Sequence, residues 1–290
     1  MNSIEQINEQ GDALRAQDLR MGEALVARSK LKQEDVDRIL ELQKNKNILF
    51  GEAAKQLGLL KDSDLKKILS EQYDYSYFHD GSQLSHALVA AHKPFSDEVE
   101  HLRSLRGQLL LRWFDQGNKT LAIISTDTED SADVLSANLA IVFSQLNKKT
   151  LLIDANLRQP SQQKLFNIET RVGLANILAN RQGNYQLSRF EALPNLSVLT
   201  AGTEVPNPQE LLSKSAFVEL LHDLEVIYDI IIIQSAPSAL GFDYLTVAAK
   251  AKGVVIVARK DYTKANDLIL LNQQLSMTGT KVIGSVYQEL

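Results

Sequence analysis

Leu121-Ala-Ile-Ile-Ser125 is a short, mostly apolar run of the kind that forms a strand buried on both faces. Thr150-Leu-Leu-Ile-Asp154 is a second run of this type. Residues 132–145, which lie between them, carry apolar side chains at helical spacing. A strand, a helix and a second strand in this order predict a βαβ unit of a parallel sheet.

The loop between the first strand and the helix reads Ser125-Thr-Asp-Thr-Glu-Asp-Ser-Ala-Asp133. A phosphate-binding loop at this place needs glycines, which expose backbone N–H groups, and a lysine that reaches the outer phosphates. This loop has neither, and four of its nine residues are acids. Each carboxylate within about 4 Å of a phosphate charge costs on the order of 1–4 kcal/mol near a surface. The loop therefore predicts that a triphosphate is repelled.

The rest of the C-terminal part alternates strands with helices. Buried apolar runs predict strands at 196–200, 229–233, 254–258 and 282–286, and periodic segments predict helices at 208–213, 216–227, 243–251 and 264–277. A further helix is predicted from Pro94 to Phe114, because a proline, a serine and acids begin it. This alternation predicts an α/β fold with a doubly wound, mainly parallel sheet.

Composition excludes several classes of function. The chain has no cysteine, so it holds no disulfide and no thiolate nucleophile or metal ligand. Its net charge of −5 comes without a basic cluster, which argues against nucleic-acid partners. No stretch approaches 18 consecutive apolar residues, so direct membrane insertion is not expected. Composition therefore predicts a cytoplasmic protein.

The N-terminal part contains a tandem repeat with an offset of 29 residues. Arg20-Met-Gly-Glu-Ala-Leu25 returns as Leu49-Phe-Gly-Glu-Ala-Ala54, and five residues, 44–48, separate the copies. Each copy predicts a short helix that opens at the glycine and a longer helix with an acidic start. On this pattern alone, the two copies predict a small helical bundle without a ligand.

Both copies resemble the motif of MshEN domains, the N-terminal modules of type II secretion and pilus ATPases. That resemblance implies cyclic di-GMP as a regulatory ligand. Carried over by position, the implied binding residues are Arg20, Gly22, Leu25, Leu31, Val36, Leu40, Gln43, Gly51, Leu60, Leu65, Leu69 and Gln72. Leu49 and Ala54 depart from the motif, which has an arginine at the first position and a larger aliphatic residue at the second. An arginine there would supply a charged, stackable fork for guanine or phosphate.

The C-terminal part resembles the bacterial tyrosine kinases of exopolysaccharide loci, and in particular the EpsG-type chain-length-determinant autokinases. The resemblance rests on these segments: Pro94-Phe-Ser96, Leu109-Leu-Leu-Arg-Trp-Phe114, Ala137-Asn-Leu-Ala140, Leu151-Leu-Ile-Asp-Ala-Asn-Leu-Arg158-Gln-Pro160, Pro206-Asn-Pro-Gln-Glu-Leu-Leu212 and Ile283-Gly-Ser-Val286. It implies a P-loop NTPase-like fold. It also implies ring formation through Glu100, Arg103 and Arg106. The implied partner belongs to the polysaccharide export or polymerase machinery or is a membrane chain-length determinant protein, and it would recruit the chain to the inner membrane.

The kinase resemblance also shows which chemical groups are replaced. The glycines of the loop fall on Asp127, Glu129 and Ser131, the lysine on Ala132 and the magnesium-binding hydroxyl on Asp133. Asp154 and Arg158 match the family, whereas acids are replaced by Asn156 and Gln234. These positions define a degenerate nucleotide site. Loss of the lysine and of two groups on the metal side predicts loss of phosphoryl transfer, so we expect no catalytic residue, no resident metal, and neither ATP nor Mg²⁺ in this domain.

Three hypotheses follow. The first is an inactive pseudokinase that regulates or scaffolds exopolysaccharide biosynthesis and responds to cyclic di-GMP. The second is an active autokinase or ATPase with an atypical site that uses Asp154 and Asp133 as metal ligands. The third is an assembly module without a small ligand. Asp154 and Arg158 are interpreted as a structural pair at the end of the strand, and Asp243 as a helix cap.

The predicted domain organisation has four parts. Residues 1–19 form an N-terminal arm, residues 20–78 the MshEN-like domain, residues 79–93 a linker and residues 94–290 the kinase-like domain.

Overall fold

The computed structural model describes residues 25–26, 31–46, 48–61, 83–179 and 187–289. The chain divides into two compact units, residues 1–76 and residues 77–290. Within the described residues, no helix is both long and apolar enough to cross a bilayer.

Two helices of the N-terminal unit are described over their full length, α1 (Gln33–Lys46) and α2 (Phe50–Gln56). Acids in the first turn of α1 and lysines in its last turn complement the helix dipole. Both helices agree with the repeat, although α2 begins one residue before Gly51. The buried core of the unit consists of Leu25, Leu31, Val36, Ile39, Phe50, Ala53, Ala54 and Leu60.

In the C-terminal unit, seven described strands form one sheet: β1 (Thr120–Ser125), β2 (Thr150–Asp154), β3 (Ser188–Phe190), β4 (Leu193–Leu199), β5 (Ile230–Gln234), β6 (Gly253–Arg259) and β7 (Lys281–Gln288). Their order in the sheet is β3-β4-β2-β5-β1-β6-β7. All described pairs are parallel except β3 with β4. This architecture confirms the predicted doubly wound, mainly parallel α/β fold.

The described α-helices of this unit are α3 (Val89–His92), α4 (Asp97–Arg112), α5 (Ala132–Ser144), α6 (Gln162–Leu165), α7 (Leu174–Leu178), α8 (Pro208–Ser213), α9 (Ser215–Ile227), α10 (Asp243–Ala251) and α11 (Ala265–Met277). Helices α3 to α5 pack on one face of the sheet, and helices α7 to α11 pack on the other. The central strands are fully buried because both faces are covered. α4 begins later than predicted, since the hydroxyl of Ser96 accepts the N–H of Val99 and makes Ser96 the N-cap.

Asn138 on α5 connects this helix to the segment that precedes α4. Its Oδ1 accepts the N–H of Ala90 at 2.9 Å, and its Nδ2 donates to the carbonyl oxygens of Ala87 and Val134 at 2.9 and 3.0 Å. The side chain is buried, so Asn138→Ala leaves the backbone groups of Ala87 and Ala90 without these partners. We expect a loss of about 2 kcal/mol in the free energy of unfolding, measured by urea denaturation.

Asn195→Ala is the matched control for this prediction. The side chain of Asn195 bonds only to the exposed Asn147 among the hydrogen bonds described. Its removal should change the free energy of unfolding by less than about 0.5 kcal/mol. Equal losses in both variants would contradict a structural role for Asn138.

Candidate functional site

The candidate site lies where the parallel strands β1, β2 and β5 end. Because carboxyl ends of parallel strands meet at one edge, Ser125, Asp154 and Gln234 come together there, and Asp154 is the register partner of Gln234. The loop after β1 forms a short 3₁₀ helix at Thr128–Asp130 before α5 begins. Ser131, between the two helices, has a left-handed backbone with φ of 51°. Glycine adopts this conformation more readily than serine does, so the loop keeps a glycine-like turn without glycine.

A cavity of about 70 Å³ opens at this edge. It is lined by Ser125, Asp127, Thr128, Ala132, Asp133, Asn156, Gln159, Ser161, Gln234, Ser235 and Pro237. Five of the predicted site residues therefore meet around one cavity: Asp127, Ala132, Asp133, Asn156 and Gln234. Nothing is described for the side chain of Glu129. Sequence reasoning missed Ser161 and Ser235, which follow the ends of β2 and β5.

Three buried polar atoms in this lining have no hydrogen-bond partner among the described residues. They are the hydroxyl oxygens of Ser161 and Ser235 and the Oε1 of Gln234. Buried polar groups in folded proteins are nearly always hydrogen-bonded, to protein, water or ligand. The cavity thus fits a polar group that accepts bonds from the hydroxyls and supplies a donor or a cation to Gln234.

Asp154 lies at the end of β2 and is fully buried. Its carboxyl group accepts the N–H groups of Asn156, Ser161 and Gln162, each at 3.1 Å. Desolvation nonetheless raises the pKa of Asp154 to about 7, opposed by the three backbone bonds and assisted by the nearby charge of Asp133. Asp154 therefore titrates near neutral pH, and it holds the turn that brings Ser161 to the cavity.

Arg158 does not pair with Asp154, so the predicted structural pair is wrong. Its guanidinium reaches Asp243 at the start of α10, with Nε–Oδ2 at 2.6 Å and Nη2–Oδ1 at 3.1 Å. Asp243 is buried, and it is the first residue of α10, with no described side-chain capping bond. The carboxyl group of Asp154 instead accepts the three N–H groups of the turn that follows β2. The interpretation of Asp243 as a helix cap is also wrong, because Phe242 is the N-cap of α10 and the carboxylate of Asp243 binds Arg158.

A larger cavity of about 570 Å³ adjoins this edge. Its lining includes Thr126 and Asp127 of the β1–α5 loop, Phe242 and Tyr244 at α10, and Tyr262 to Lys264 before α11. Asp127 borders both cavities. The loop after β1 therefore contributes to the lining of both cavities.

The predicted ring-forming residues lie on α4. Arg103 pairs with Glu100 and also donates to the carbonyl oxygen of Pro94 at 2.6 Å. Arg106 donates to the carbonyl oxygen of Val142, at the end of α5, at 2.5 Å. Both arginines thus make bonds within their own chain, and ring formation stays a prediction.

Of the predicted cyclic di-GMP residues, Leu25, Leu31, Val36 and Leu60 are buried in the core of the N-terminal unit. Leu40, Gln43 and Gly51 are partly exposed. The remaining predicted residues, Arg20, Gly22, Leu65, Leu69 and Gln72, lie outside the described residues. The core aliphatic residues therefore shape the unit, and among the described positions Leu40, Gln43 and Gly51 offer surface to a ligand.

No protein-family model matches the chain. Over 198 residues the chain is 30% identical to the putative tyrosine-protein kinase CapB of Staphylococcus aureus. The aligned region covers 68% of this chain and 87% of that protein. The kinase domain of the Escherichia coli tyrosine kinase ETK has a TM-score of 0.68 at 27% identity, over 73% of this chain and 83% of that one. The chain belongs to the bacterial tyrosine-protein kinase family.

The septum site-determining protein MinD of Pyrococcus horikoshii, complexed with Mg-ADP, matches with a TM-score of 0.51 at 16% identity, over 59% of this chain and 70% of that one. This likeness shows a shared fold. The expectation that the C-terminal domain takes neither ATP nor Mg²⁺ is wrong. The chain belongs to a family of kinases, and kinases transfer a phosphoryl group from a nucleotide held with Mg²⁺, so membership points to nucleotide and Mg²⁺ binding. The loop that lacks the glycines and the lysine is only part of the site, because the fold brings the hydroxyls of Ser161 and Ser235 to the same cavity.

Proposed function

We propose that this chain is a regulatory member of the bacterial tyrosine kinase family. In this proposal it binds a nucleotide with Mg²⁺ at the carboxyl edge of the sheet and does not transfer a phosphoryl group to tyrosine. The observation that carries the proposal is Ala132, the first residue of α5, at the position of the family's phosphate-binding lysine. None of the residues that line the small cavity is a lysine or an arginine.

The residues around the cavity support binding better than transfer. The hydroxyls of Ser161 and Ser235 are placed to donate to phosphoryl oxygens, and the Oε1 of Gln234 and the carboxylate of Asp133 are oxygen ligands of the kind that Mg²⁺ accepts. The bound ion would offset the acids Asp127 and Asp133, which otherwise repel phosphates. Phosphoryl transfer additionally needs a fixed cation that stabilises the charge on the transferring group, and Ala132 supplies none.

Calorimetric titration of the purified chain with Mg-ADP and Mg-ATP, together with an immunoblot for phosphotyrosine, tests this function. We expect binding of both nucleotides and no phosphotyrosine after incubation with Mg-ATP. Phosphotyrosine on the wild-type chain would overturn the loss of transfer and favour the atypical active kinase. Absence of heat at millimolar nucleotide would overturn the binding part and favour an assembly module.

Restoring the missing cation should strengthen binding. Ala132→Lys places an ammonium at the first turn of α5, and a charge-assisted bond to phosphate is worth about 1.5 kcal/mol or more, so we expect about tenfold tighter binding of Mg-ADP. Ser215→Lys, which adds a lysine at the first residue of α9, is the control and should leave the affinity unchanged. Equal affinities for all three chains would contradict the assignment of Ala132 to the phosphate position.

The N-terminal unit is proposed to bind cyclic di-GMP, and the two motif copies support this. The partly exposed Gln43 on α1 is the described residue best suited to hydrogen-bond a guanine edge or phosphate. Titration with cyclic di-GMP should show at least tenfold weaker binding by Gln43→Ala and no change with Gln56→Ala, on the exposed side of α2. A wild-type chain that does not bind would contradict the ligand and leave the kinase-like proposal untouched.

We further propose that regulation serves exopolysaccharide biosynthesis, through a partner in the membrane-bound export or chain-length machinery. Membership in the family supports this proposal. Recovery of a membrane component of an exopolysaccharide locus after cross-linking in cells would support it, and an unchanged polymer after deletion of the gene would contradict it.

A further inference from the structure

Asp130, an acid in the loop after β1, is completely buried. Its Oδ2 accepts the backbone N–H groups of Thr126 and Asp127 at 3.1 and 3.0 Å and the hydroxyl of Thr126 at 2.8 Å. Its Oδ1 accepts the hydroxyl of Thr263 at 2.5 Å. One carboxyl group thus accepts four hydrogen bonds from two segments of the chain.

Thr263 extends this network to the neighbouring strand. Its Oγ1 donates to Asp130 and accepts the backbone N–H of Arg259 at 2.8 Å. Arg259 ends β6, and α11 begins two residues after Thr263. The network therefore joins the loop that follows β1 to the loop that follows β6.

A burial this complete is tolerated for an acid only when its oxygens are hydrogen-bonded, and here both are. In phosphate-binding loops, backbone N–H groups converge on an anion that the ligand supplies. In this chain, two N–H groups at the start of the loop converge on a carboxyl group of the loop itself. Asp130 lies three positions after Asp127, so the bond closes a tight turn just before Ser131 and α5.

We propose that Asp130 is a positioning residue that acts as an internal anion: it fixes the β1–α5 loop, and through Thr263 the β6–α11 loop, in the absence of any ligand. The loop then keeps its part of both cavity linings in place before a nucleotide arrives. The inference does not rest on nucleotide binding, because all four donors belong to the chain.

Amide hydrogen exchange of the ligand-free chain, followed by NMR, tests the proposal. We expect the N–H groups of Thr126 and Asp127 to exchange at least 100-fold more slowly than in an unfolded peptide. In Asp130→Asn, whose amide group carries two donors and one acceptor oxygen, this protection should fall at least tenfold, while that of the central strand residue Ile232 stays the same. Unprotected exchange of Thr126 and Asp127 in the wild-type chain would overturn the proposal.

Further variants separate positioning from general destabilisation. Thr263→Val removes one of the four donors and should lower the protection of Thr126 and Asp127 several-fold, whereas Thr263→Ser keeps the hydroxyl and should restore it. Asp133→Asn removes a carboxylate from the first turn of α5, three positions after Asp130, without touching these bonds, and it should leave both amides unchanged. If Asp130→Asn does not fold, the Thr263 pair still decides: equal protection in Thr263→Val and Thr263→Ser would refute the link.

Discussion

The wild-type chain is expected to lose about 2.5 kcal/mol of its free energy of unfolding between pH 5 and pH 8 through Asp154 alone. Burial raises the pKa of this acid from 3.8 to about 7 in the folded chain. At pH 5 the folded chain holds its proton, whereas the unfolded chain has released it. Folding therefore takes up a proton in this window, and stability falls as pH rises, by about 1.4 kcal/mol per unit, until the pH passes the folded pKa.

Urea denaturation at pH 5, 6, 7 and 8 measures this slope, and Asp154→Asn assigns it. Asparagine does not titrate, so the variant should lack the contribution, whatever its absolute stability. Asp229→Asn, at the opposite end of the sheet, removes an acid that accepts the N–H of Lys149 near solvent and should keep the wild-type slope. Parallel curves for the wild type and Asp154→Asn would show that Asp154 is ionised in the folded chain at pH 5.

This titration has a consequence for the site. Asp154 gains or loses its charge near pH 7, and that charge interacts electrostatically with Asp133, which lines the small cavity. Below pH 7 one negative charge fewer therefore lies close to the cavity. Nucleotide phosphates should then meet less repulsion, while a cation held by Asp133 is attracted less strongly.

The sheet could be predicted from the sequence because its central strands are buried on both faces. Such strands must be continuous apolar runs, as in Ile230–Gln234, and the helices between them show clear periodicity. The edge strand β3 was not predicted, since three partly exposed residues that include Arg189 carry no such pattern. A strand buried on both faces thus has a clearer sequence pattern than a strand at the edge of the sheet.

The site was predictable only in part. Asp127, Asp133 and Gln234 follow or precede strands and helices at positions that the family resemblance identifies, and they do meet. Ser161 and Ser235 reach the same cavity because turns after β2 and β5 fold back, and an isolated serine gives no signal of that. The hydrogen-bond network of Asp130 could not be predicted from the sequence either, because its partner Thr263 lies 133 residues away.

Arg158→Ala is expected to lower the free energy of unfolding by about 3 kcal/mol, because it leaves a charged Asp243 buried without its partner. The carboxylate side chain is 1% exposed and the guanidinium is 33% exposed, so we take the lower end of the range for broken buried pairs. The guanidinium also packs against Gly241, within 3.1 Å of where a Cβ atom would stand. Hydrogen bonding to Asp243 raises the pKa of Arg158, as expected for a two-point contact between the groups.

A double-mutant cycle in urea separates the pair from its surroundings. Arg158→Ala with Asp243→Ala should lose less than the sum of the single variants, because neither charge is then left alone. Arg158→Lys keeps the positive charge but cannot form the two parallel hydrogen bonds of the guanidinium, so it should recover only part of the stability. Additive losses would mean that Arg158 and Asp243 stabilise the fold independently of each other.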